Sequence, residues 1–218
     1  MRVGLAGVDG YDPYREIVPY GEVLGRNMCL SEFHAAILLD ALTRLDIENS
    51  HRQRNFAQLA LMLREVPGVS AITDERAEEP THYKVCLRFE AALLGGLDIG
   101  LVARALAEEL SLPVEPIDAP LNANTLYQPL RSPQIGRLAD AAETYDPKRF
   151  FLPNATAAAR CCLTLPHWCL LGDRSDLDDI VSALLKVLRL RNELSQLKLG
   201  DIRRYPFRTR QRERCQVP

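Results

Sequence analysis

The sequence predicts an α+β protein in which long helices pack on a small, mostly antiparallel sheet. Three observations carry this. Several stretches repeat apolar residues at helical spacing, only two short stretches have the character of strands, and no regular β-α-β alternation links them. The expected order is helix, helix, strand, helix, loops, strand, helix.

The first helix opens at Ser31, a residue type that caps helices. Behind it Ala35, Leu38, Leu39, Leu42 and Leu45 form one apolar stripe, which Ile37 and Ala41 widen, so burial on more than one side is expected. A second stripe, Phe56, Leu59, Ala60, Leu63 and Val66, ends at Pro67-Gly68. In "HYKVCLRF", Tyr83, Val85, Leu87 and Phe89 alternate with polar residues and Cys86, the pattern of a half-buried strand. Helical spacing returns through Val102, Ala105, Leu106 and Leu110. The span from Pro113 to Pro153 has no sustained period and is expected to be mostly ordered loop. "CLTL" at 162–165 suits a short strand. Leu177, Ile180, Val181, Leu184 and Leu188 suit a final helix, with Asp176, Asp178 and Asp179 at its positive end and Lys186 and Arg189 at its negative end.

Composition bounds the function classes. The chain has 218 residues, is 47% apolar and 26% charged, and carries a formal net charge of -2, which gives no basis for nucleic acid or an anionic membrane as partner. The arginines of "RRYPFRTRQRER" (203–214) are confined to a tail, 196–218, expected to be disordered. No apolar run reaches membrane-spanning length, and Asp9 and Asp12 interrupt the N-terminal stretch, so a cytoplasmic protein is expected. Six cysteines without a C-x-x-C pair fit that compartment. A zinc site from Cys161, His167 and Cys169 has poor spacing, so reduced buried thiols and no metal are expected.

Phosphate-loop, nucleophile-elbow and H-E-x-x-H signatures are absent from the sequence. His34 falls inside the first helix and reads as structural. None of Lys84, Lys148, Lys186 and Lys198 lies in a glycine-rich context that would hold a desolvated Schiff-base lysine. Asn27, in a glycine-containing loop before the first helix, can donate to an anionic oxygen, but from the residues alone an asparagine there better suits a tight turn.

Five segments in order resemble the DegT/DnrJ/StrS family of sugar aminotransferases. The first is Gly25-Arg26-Asn27-Met28-Cys29-Leu30-Ser31-Glu32 with Ala35-Ala36, similar to G-x-N-[YF]-R-[ML]-S-E-x-x-A-A. The others are "HRQRNFAQLALMLREVPGV", "THYKVCLRF", "EPIDAPLNANTLYQPL" and "FLPNATAAARCCLTLPHWCLLGDRSDLDDIVSALLKV". The likeness spans about residues 15 to 190. It implies the C-terminal small domain of a fold-type I enzyme dependent on pyridoxal 5'-phosphate, with 1–30 a remnant of the large domain and linker and 31–195 the small domain.

The resemblance also implies a dimer with shared sites, in which Asn27 reaches the cofactor phosphate of the neighbouring subunit. Cys29 stands where many members have Arg, and Asn122 where many have His. With Asn124 and Tyr127 these look more like the glutamine-dependent branch that aminates scyllo-inosose and 2-deoxy-scyllo-inosose in aminoglycoside antibiotic pathways. Neutral donors and acceptors suit an uncharged polyhydroxylated ring. The family's Schiff-base lysine region has no counterpart here, so no catalytic residue is assigned, and the chain alone is expected to be inactive. The partners implied are an amino donor, glutamine or glutamate, and a keto-cyclitol or keto-sugar, in a homodimer or a pairing with a large-domain chain. The alternative is a non-enzymatic module that pairs with an intact aminotransferase.

Overall fold

The computed structural model describes residues 31–73, 76, 80–124, 126–138 and 140–197. They fall into two compact units. One comprises the described residues up to Ala41 with Asp118–Ala159; the other comprises Leu42–Ile117 and the described residues from Arg160 onward.

The larger unit holds a four-stranded sheet in the order β1-β2-β4-β3, built from β1 (Val69–Ala71), β2 (Lys84–Phe89), β3 (Glu115–Pro116) and β4 (Cys162–Pro166). Every described pairing is antiparallel. Val85 lies opposite Leu165 and Leu87 opposite Leu163, which puts these four on one face together with Phe89. All five are essentially removed from water. Lys84, Cys86 and Arg88 line the other face, opposite Pro166, Thr164 and Cys162. Proline at the end of β3 is tolerated because β3 is an edge strand.

Helices α2 (Leu45–Met62), α4 (Ile99–Leu110) and α7 (Arg174–Arg189) supply much of the rest of this core, through Phe56 and Leu59, Val102 and Leu106, and Leu177, Ile180 and Leu184 among others. Burying one such side chain contributes roughly 1.5–3 kcal/mol. α2 continues through a 3-10 turn, Leu63–Glu65, and stops at Gly68, whose φ of +72° favours glycine; a Cβ there would lie 2.9 Å from Leu93 Cδ2. α4 is capped by Asp98, whose carboxylate accepts from Gly100 N at 2.7 Å. α7 begins at Arg174 with a reciprocal capping box. The Asp173 side chain accepts from the N–H groups of Ser175 and Asp176, and the Asp176 side chain accepts from Asp173 N at 2.9 Å. Two further short helices are α3 (Ala91–Leu94) and α8 (Arg191–Leu194).

The smaller unit contains α1 (Glu32–Leu42, its last residue counted with the other unit), α5 (Ala141–Tyr145), most of α6 (Pro153–Cys161), and 3-10 turns at Leu121–Ala123, Pro129–Arg131 and Pro147–Arg149. Ser31 caps α1 as expected: its Oγ accepts from His34 N at 3.4 Å and also bonds the His34 ring at 3.0 Å, giving this histidine a structural role.

Several expectations are corrected here. α1 is not buried on any side: Phe33 is 84% exposed, Ile37 67% and Leu39 66%. Its periodicity marks an apolar face that is left exposed among the described residues. Tyr83 is exposed and precedes β2, so the alternation begins one pair later. The proline-rich span is not loop alone, since it contains β3 and α5 and leads into α6 at Pro153. Proline is well tolerated at the first position of a helix, where its missing N–H has no partner to lose. Asp178 and Asp179 lie one turn further into α7 than expected, because the helix starts at Arg174.

Candidate functional site

Of the five residues expected to bind cofactor or substrate, Asn27 and Cys29 lie outside the described residues, as does the arginine tail. Asn122, Asn124 and Tyr127 share one loop of the smaller unit. Asn122, in the 3-10 turn after Pro120, donates from Nδ2 to Phe150 O at 2.7 Å, which ties two segments 28 residues apart. Its Oδ1 is buried with no hydrogen-bond partner, an acceptor at which an O–H or N–H donor would find a match. Asn124 uses its side chain locally, with Oδ1 accepting from Leu126 N at 2.8 Å, and its carbonyl accepts from Tyr127 N at 3.0 Å. Tyr127 is 45% exposed. The loop therefore offers a buried acceptor and an accessible phenol, while Asn124 holds its turn. This is a polar, uncharged set.

The larger unit contains a polar cluster that sequence reasoning missed. Around the turn between β4 and α7, Asn55 Nδ2 donates to Leu170 O at 2.9 Å and to Gly172 O at 2.8 Å, and the His51 ring lies 3.0 Å from the same Gly172 carbonyl. One turn of α2 away, buried Arg52 donates to Glu48 Oε2 at 2.6 Å and to Asn49 Oδ1 at 3.0 Å. His167 titrates below its ordinary value, through burial first and the Arg52 charge second, against the opposing effect of Glu48. His51 and Asn55 are one helical turn apart, the only local signal available. Their partners are more than 110 residues away.

The lysines decide whether a pyridoxal phosphate anchor is present. Lys84 pairs with Glu115 at 3.7 Å and Lys186 with Glu109 at 2.6 Å; Lys148 is exposed, and Lys198 lies outside the described residues. None of the three described lysines is desolvated, so the described residues do not fit the anchor that this cofactor requires. Among the described residues, no group of three or more His, Cys, Asp or Glu side chains is placed to hold a metal ion, and no helix is long and apolar enough to cross a membrane.

The model of the DegT/DnrJ/EryC1/StrS aminotransferase family matches residues 4–185. The chain belongs to this family. It is 42% identical over 174 residues to the L-glutamine:2-deoxy-scyllo-inosose aminotransferase of Streptomyces lividus, covering 80% of this chain and 41% of that enzyme. It is 39% identical over 185 residues to the enzyme of the same name from Streptomyces paromomycinus, covering 85% and 44%. The chain thus spans less than half the length of these curated relatives. Among solved structures it superposes on 3-amino-5-hydroxybenzoic acid synthase with a TM-score of 0.56 at 24% identity, over 80% of this chain and 43% of that one. That likeness shows the fold, a mixed helical and antiparallel-sheet architecture shared with an enzyme of fold type I. The resemblance read from the five sequence segments is met in both family and branch.

Proposed function

We propose that this chain is the C-terminal portion of an aminotransferase that uses pyridoxal phosphate and transfers an amino group from glutamine or glutamate to a keto-cyclitol or keto-sugar in aminocyclitol antibiotic biosynthesis. The observation that carries this reading is the alignment of about four-fifths of the chain, at about 40% identity, with less than half of enzymes that aminate 2-deoxy-scyllo-inosose. The Asn122–Tyr127 loop supports the substrate class, because its buried acceptor and phenol suit hydroxyl groups and bring no charge. In this reading Asn27 binds the cofactor phosphate of a neighbouring subunit, Cys29 faces the substrate, and the covalent anchor lies on polypeptide other than the described residues.

The expected behaviour is inactivity of the chain alone. Incubated with pyridoxal phosphate it should give no lysine-dependent absorbance change, and with glutamine and 2-deoxy-scyllo-inosose no amino transfer. Adding the portion of the Streptomyces lividus relative that this chain does not match should restore transfer. A saturable lysine-linked absorbance band from the chain alone would overturn the assignment of the anchor to other polypeptide.

A second reading is favoured by one observation, the exposed apolar face of α1. The chain would then act as a non-enzymatic module that pairs with an intact aminotransferase. Association with the full-length relative without any gain in turnover separates this reading from the first.

A further inference from the structure

On the polar face of the sheet, three thiols converge, none of them assigned to substrate or cofactor. Cys161 ends α6 and Cys162 begins β4. This change from helix to strand brings neighbouring side chains together, and the two sulfurs lie 4.0 Å apart. Cys86 of β2 sits opposite Thr164, two places along from the Arg88–Cys162 pair, so it shares a face with Cys162 and is hydrogen-bonded to it. Cys162 is buried, whereas Cys86 and Cys161 are partly exposed and can be reached from water.

The spacing selects among the reactions open to such a group. A disulfide needs sulfurs about 2.05 Å apart, roughly half the observed separation, in a specific dihedral geometry that adjacent residues adopt poorly. Two bonds of about 2.3 Å, the length of a zinc–thiolate bond, span up to about 4.6 Å through one shared atom. The pair therefore suits a single heavy, thiophilic centre better than a direct S–S bond. Burial, chiefly, pushes the Cys162 thiol up to about 12, and burial also raises Cys86, so both are protonated at neutral pH and poor at attacking oxidants.

We propose that Cys161 and Cys162 form a dithiol site for trivalent arsenicals bearing two replaceable hydroxyls, with Cys86 as a positioning residue for the Cys162 thiol. The step is a condensation. Two As–O bonds break and two As–S bonds form, each thiol proton leaves with a departing hydroxyl as water, and arsenic stays trivalent. No oxidant is required. The second As–S bond is made intramolecularly, and losing it should weaken retention on the order of 10²-fold or more.

The test uses the full chain in a C29S/C215S background with phenylarsine oxide as probe. After a monothiol wash, intact-mass analysis should show one phenylarsenic group per chain, released by 2,3-dimercaptopropanol. C161S should retain at least tenfold less, with an unchanged thermal transition. C86S should retain it with faster loss to the monothiol. Peptide mapping of the unsubstituted chain should place the adduct on the segment containing Cys161-Cys162, a readout that does not depend on any variant folding. Absence of retention, equal retention by C161S, or an adduct mapped to Cys169 would overturn the proposal.

Discussion

Asn55→Ala offers a direct measure of what holds α7 in place. The Asn55 amide donates to two carbonyls of the β4–α7 turn, at 2.9 and 2.8 Å, and Gly172 O has a second contact in the His51 ring at 3.0 Å. The substitution removes two hydrogen bonds but strands only the Leu170 carbonyl, because His51 still serves Gly172. Each lost bond costs about 1 kcal/mol net, and the stranded acceptor adds about 1 kcal/mol more, so the expected loss is about 2–3 kcal/mol. For a chain of this size that corresponds to a fall in Tm of roughly 4–12 °C. Urea denaturation followed by circular dichroism should show a lower midpoint with the same m-value, and H51A/N55A should lose more than the two single substitutions together, since Gly172 O then has neither partner. A loss below about 0.5 kcal/mol for N55A would mean that water replaces the amide without cost, and that the clamp does not hold the turn.

Two other outcomes follow from the same region and its neighbour. In Gly172→Ala the added Cβ would collide with the Asp176 carboxylate that closes the α7 capping box; the expected cost is about 1–2 kcal/mol by thermal melt, and removing the carboxylate with D176A should make the two substitutions less than additive. His82, stacked on Phe56 at 4.0 Å, and His167 both titrate below the ordinary value of 6.5, burial being the first cause for each. The unfolded chain therefore binds protons that the folded chain refuses. The contribution of these two histidines should be level above pH 7.5 and decline as the pH falls through 6.5 toward the lower folded values, and replacing His82 with Gln should make that decline shallower in urea titrations.

The elements that sequence reasoning recovered are those whose signal is local. The alternation through Val85, Leu87 and Phe89 fixes both a strand and its buried face, and the stripe through Leu177, Ile180, Leu184 and Leu188 does the same for α7. β1 and β3 escape because three and two residues are too few for alternation to register. α6 escapes because "PNATAAARC" is rich in alanine and has no buried residue to produce a stripe. At the candidate site, Asn122 and Tyr127 were legible as neutral polar residues in a turn-rich stretch. The bond from Asn122 to Phe150 and the clamp from Asn55 to Gly172 were not, because each closes over a long separation that leaves no periodic trace. For α1, the apolar spacing was visible while burial was not, since burial depends on a covering surface and not on the helix itself.

The strand order has a consequence for synthesis. β4, drawn from residues 162–166, is the middle rung between β2 and β3, so β3 has no ladder to join and β2 only the three-residue β1 until Cys162 has left the ribosome. At about 5–20 residues per second, the emerging polypeptide spends several seconds with the second edge of β2 unpaired. A ribosomal stall before Cys162 would leave β2 with one bare edge, open to pairing with another strand.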